Sequence, residues 1–73
     1  MNKTQKAINE CIQCYADALR RGLVTPEEAF CAISEYLNAA YKAWMHDEPG
    51  AERVDKRAAL HKAFCMLAEA TKD

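Results

Sequence analysis

Residues 20–28 read Arg20-Arg21-Gly22-Leu23-Val24-Thr25-Pro26-Glu27-Glu28, and they set where one helix stops and the next begins. Gly22 can take the left-handed conformation that ends a helix, and Arg20 and Arg21 suit the negative end of a helix dipole. Thr25 then serves as N-cap, Pro26 takes the first helical position, and Glu28 closes a T-x-x-E capping box. The chain has only two glycines and two prolines. The other pair falls in His46-Asp47-Glu48-Pro49-Gly50, a stretch short enough to join antiparallel neighbours.

Working outward from these two interruptions, the spacing of apolar residues predicts helices over about 4–21, 26–46 and 51–71 within a single domain, 1–73. Nothing between them alternates like a strand. Short connections and similar lengths favour an all-α, up-down-up three-helix bundle. On helical wheels the first helix lines up Ile8, Cys11, Ile12, Tyr15, Ala18 and Leu19. The second lines up Phe30, Ile33, Leu37, Tyr41 and Trp44. The third is expected to contribute Leu60, Phe64, Leu67 and Ala68, flanked by Val54, His61 and Cys65.

Two features exceed one core. The second helix also carries Ala32, Tyr36, Ala39 and Ala43, which widen its apolar arc to about two-thirds of the wheel. The third carries a separate stripe, Ala59, Ala63, Met66 and Ala70, that resembles the close-packing seam of a coiled coil. Alanine is also the best helix former and sits harmlessly on surfaces. With 73 residues the chain buries a modest fraction of its surface, and chains of this size commonly gain stability by association. The seam therefore predicts self-association, and Ala63→Glu should dissociate a dimer built on it.

Composition narrows the function. Ten Lys/Arg against eleven Asp/Glu give a net charge of -1, which supplies no broad field for phosphates or anionic lipid. The first ten residues have no apolar core like that of a signal peptide, and no apolar run approaches a membrane span. The four cysteines are accordingly expected to be reduced thiols in a cytosol.

Cys11-Ile12-Gln13-Cys14 has the spacing of redox dithiols and zinc ligands. An activated dithiol sits at a helix N-terminus, whereas Cys11 and Cys14 lie inside the first helix, Cys11 in the core stripe and Cys14 on its shoulder. Zinc is the stronger alternative: His61 and Cys65 are four apart, and with Cys11 and Cys14 they could complete a Cys3His site between helices. Against this, cysteine commonly behaves as a small buried hydrophobe, and mid-helix ligands are unlike the knuckles of familiar zinc sites. Cys31 projects toward the polar side of the second helix and belongs to neither scheme.

Catalysis finds little support. His46 beside Asp47 and Glu48 reads as a solvated turn, Ser34 has no local base, and two isolated glycines cannot build a phosphate loop. Ala18 and Gly22 before a capped helix give residues 1–46 a helix-turn-helix-like character. That motif leads with the N-terminus of its second helix, which here is Pro26-Glu27-Glu28. Arg53, Lys56, Arg57 and Lys62 scatter round the third helix, and only Arg57 falls within the apolar stripe. Nucleic acid is therefore not the expected partner.

The sequence leads to a cytosolic, non-enzymatic protein that binds another protein as regulator, adaptor or inhibitor, with no cofactor and no membrane partner. A chain this short, starting at its own methionine, suits such a role and a bacterial or phage origin. Zinc stabilisation and nucleic-acid binding are the alternatives. Aromatic and Arg side chains are the usual anchors of interfaces. Tyr36, Trp44 and Arg57, with the Ala59/Ala63/Met66/Ala70 seam, are the interaction candidates.

Overall fold

The computed structural model describes residues 3–72 and consists of α1 (Lys3–Arg20), α2 (Pro26–Met45) and α3 (Lys56–Ala70). All three helix pairs are in contact, giving a three-helix bundle. The 20–28 stretch forms as its residues dictate. Gly22 has φ 73°, its N–H donates to Leu19 O at 3.0 Å, and Leu23 N–H donates to Ala18 O at 3.0 Å. This pair of bonds is a Schellman motif, which satisfies carbonyls the helix end would leave open. The capping box follows at once: Glu28 N–H donates to Thr25 Oγ1 at 3.1 Å, and Thr25 N–H donates to Glu28 Oε1 at 3.0 Å.

The second connection runs over residues 46–55, longer than the 46–50 stretch expected to join the helices. The residue that turns left-handed after α2 is Asp47, with φ 53°. Glu48 N–H donates to Ala43 O and Asp47 N–H to Trp44 O, both at 3.1 Å, so this end repeats the Schellman pattern without a glycine. Gly50, φ 81°, instead serves a separate turn closed by Ala51 N–H on Glu48 O at 3.0 Å. Proline then glycine at its two central positions is the type II preference.

The third helix starts at Lys56, not near residue 51. Residues 51–55 are non-helical because three of them have other partners. Asp55 is the N-cap, accepting from Ala58 N–H at 3.1 Å. Val54 is buried in the core. Glu52 Oε1 accepts from the N–H groups of Lys3 and Thr4 at 3.0 and 3.2 Å. A carboxylate from the α2–α3 connection thus caps the start of α1, where unpaired N–H groups and the positive dipole end favour an anion.

The centre of the bundle is filled by Ile8 and Ile12 from α1 and Ile33 and Leu37 from α2, all at most 1% exposed. Ala16, Ala29, Ala59 and Ala63 close the contacts between helices, joined by Val54 and Leu67. Among the described residues no polar or charged residue is buried.

The stripe expected on α3 is split: Leu67 and the flanking Val54 are buried and Leu60 packs against the core, but the rest of it does not. Ala59 and Ala63 are 3% and 0% exposed, while Phe64 is 65% exposed and Ala68, His61 and Cys65 lie at the surface. The Ala59/Ala63/Met66/Ala70 seam is spent inside the bundle: Ala59 and Ala63 belong to the core, and Met66 and Ala70 pack against it. The reason is volume. Four large aliphatic side chains from α1 and α2 already occupy the centre, so the third helix approaches closely with alanine, whereas a phenylalanine would overpack it. A dimer resting on that seam is therefore ruled out by the chain's own packing.

Candidate interaction surface

The two flanks of α3 can be assigned from its contacts. Lys62 Nζ donates to Asn9 Oδ1 at 2.9 Å, which turns the Lys62 and Met66 flank toward α1. Lys56 Nζ lies 5.4 Å from the centroid of the Tyr41 ring, which turns the opposite flank toward α2. On that α2 side Arg57, Leu60 and Phe64 follow at helical spacings of three and four residues, so they form one ladder.

An open groove lies between the C-terminal end of α2 and residues 53–60. Its apolar lining comes from Tyr41, Trp44, Val54 and Leu60. Tyr41 and Trp44 meet edge to face, with centroids 5.9 Å apart and ring planes at 66°, an arrangement favoured by their quadrupoles. Arg53, Lys56 and Arg57 supply the charge along its rim, with Asp55 as its one carboxylate. Trp44, nominated as an aromatic, and Arg57, nominated as an arginine within the apolar stripe, thus share one groove. Phe64 stands one turn beyond Leu60 on the same ladder.

Tyr36 lies elsewhere. It is 43% exposed and falls on the side of α2 away from Tyr41, with Ala32, Ala39 and Ala43. Phe30, which the sequence assigns to the core, is 37% exposed; the larger departure is Phe64, likewise assigned to the core and found at the surface. One signal could have found it: α1 and α2 together offer enough large aliphatic residues for one core, leaving α3 a choice of faces.

The cysteine–histidine scheme is not assembled. Cys65 Sγ is 3.7 Å from His61 Nε2, a contact within one exposed face of α3. Cys11 is half-buried on α1 and Cys14 is exposed, and both lie away from the Asn9 side that meets α3. Among the described residues no cluster of three or more His, Cys, Asp or Glu side chains is placed to hold a metal ion. The helices pack through their alanines, which turns His61 and Cys65 outward. Burial, and secondarily the neighbouring Cys14, raise the pKa of the Cys11 thiol, opposite to the activation a redox cysteine requires. Cys31 is exposed.

At the start of α2, Glu27 and Glu28 are both exposed, so the helix that a helix-turn-helix would insert into DNA leads with two carboxylates. No described helix is long and apolar enough to cross a membrane. Comparison with protein-family models, with curated proteins and with solved structures returns no match.

Proposed function

We propose that this chain is a small non-enzymatic protein that acts by binding another protein through the α2–α3 face, in the manner of a regulator, adaptor or inhibitor. One observation carries the reading: Phe64 is 65% exposed on the same ladder as Leu60 and Arg57, beside a groove containing Trp44. Exposed apolar surface rimmed by charge marks interaction sites, and aromatic and Arg side chains provide most interface energy. Phe30 and Tyr36 are also exposed, so three of the six aromatic residues in the sequence are substantially uncovered. A chain with a core this small leaves that much aromatic surface uncovered at a cost in solubility, which a partner would offset.

The test is capture from cells of the source organism with tagged wild-type protein and with Phe64→Ser, identified by mass spectrometry. The expected result is a protein retained by the wild type and lost with Phe64→Ser, with both forms equally helical by circular dichroism. Identical sets of captured proteins would contradict this face as the binding surface.

A further inference from the structure

The charge around the groove points to the chemistry of the partner. Arg53 and Arg57 are exposed and make no ion pair with any described residue. Lys56 is held over the Tyr41 ring. The carboxylates nearby are otherwise engaged: Asp55 Oδ1 caps Ala58 N–H, and Glu52 Oε1 is bonded to the N-terminus of α1. Three cations without ion-pair partners thus surround a lining of Tyr41, Trp44 and Leu60, in a chain whose net charge is -1. The positive charge is local, not a property of the whole surface.

We propose that the groove binds an acidic segment of a protein partner, which inserts one aromatic or aliphatic side chain between Tyr41, Trp44 and Leu60 while its carboxylates meet Arg53, Lys56 and Arg57. This rests on the protein-binding reading and specifies it. Arginine forks match carboxylates in a bidentate geometry, and an apolar anchor would remove part of the Trp44 and Leu60 surface from water. A nucleic acid fits less well. Three cations release few counterions, and the acidic start of α2 and the exposed Asp47 and Glu48 repel a long polyanion that must extend past the groove.

The test is selection of random displayed peptides on the wild-type protein, with Arg53→Glu/Arg57→Glu as the counter-target. An enriched sequence is then synthesised and titrated by the fluorescence of Trp44, the single tryptophan. A version with glutamine for every acid, and an oligothymidylate, complete the set. The expected peptides place Asp or Glu next to an aromatic or aliphatic residue. The glutamine version, and the double variant against the original peptide, should each bind at least about tenfold more weakly. Arg53→Ala/Arg57→Ala, checked for helicity, should give a smaller loss in the same direction. Enriched peptides without acids, or binding unchanged by the double variant, would overturn the proposal. Tighter binding of the oligonucleotide than of any peptide would overturn it in favour of nucleic acid. Peptides that need Phe64 but not Arg53 and Arg57 would refute the acidic segment while leaving the protein-binding face standing. No enrichment at all would remove both.

Discussion

Exchanging the sizes of two adjacent residues on α3 discriminates between its two candidate faces. Phe64 keeps only about a third of its surface out of water, being 65% exposed. Full burial of a phenylalanine contributes roughly 2–3 kcal/mol, so the buried part contributes about 1 kcal/mol or less. Alanine recovers about 0.5 kcal/mol in helix propensity. Phe64→Ala should therefore change stability by less than about 1 kcal/mol. Ala63 is 0% exposed, and Ala63→Leu forces new methyl groups into filled space at a cost of about 1–3 kcal/mol. For a domain with a total stability of roughly 4–11 kcal/mol, that loss is conspicuous. Ala63→Glu, which the seam-dimer view expects to yield a folded monomer, should instead unfold the chain, because a buried carboxylate has no partner there. Urea denaturation followed by circular dichroism reads all three variants, and a change in concentration separates folding from association. If Phe64→Ala cost about 3–5 kcal/mol, as a core truncation does, while Ala63→Leu cost nothing, the packing described for α3 would be refuted.

Three further outcomes follow from the same contacts. Glu52→Ala should destabilise by about 1 kcal/mol, since it leaves Lys3 and Thr4 N–H uncapped, and hydrogen exchange should quicken at the start of α1 more than in α2; uniform exchange rates would contradict that role. Asp47→Gly should raise Tm by several degrees, because glycine relieves the left-handed conformation worth up to about 1 kcal/mol in a non-glycine residue; a fall in Tm would contradict the Schellman end of α2. Treatment with a chelator should leave Tm unchanged, since Cys11 and Cys14 lie apart from His61 and Cys65, and unfolding by the chelator would show that the four are joined through a metal.

Local rules carried most of the architecture. The Gly22 stop and the Thr25–Glu28 box are satisfied by residues within a few positions of each other, so their bonding is implied by spacing alone. The boundaries of α1 and α2 follow to within about one residue. The start of α3 was not legible in the same way, because helix periodicity extends back to residue 51. What prevents a helix there is long-range: Glu52 reaches the N-terminus of α1, and Val54 enters the core. The face of α3 is a global property too. A wheel ranks Phe64 above Ala63 by hydrophobicity, but the space left between Ile8, Ile12, Ile33 and Leu37 selects by volume. Trp44 could be nominated as an aromatic and Arg57 as an arginine within the apolar stripe, whereas their meeting across one groove depends on how α2 and α3 are docked. The side Phe64 faces depends on the same docking, which its hydrophobicity does not encode.

The most direct measurement is photocrosslinking in the source cell with benzoylphenylalanine in place of Phe64, and in place of Glu35, which is exposed on the outer side of α2. The account predicts a discrete adduct with one protein from position 64 and little or none from position 35. No adduct from position 64, or the same adducts from both positions, would contradict a binding surface on the α2–α3 face.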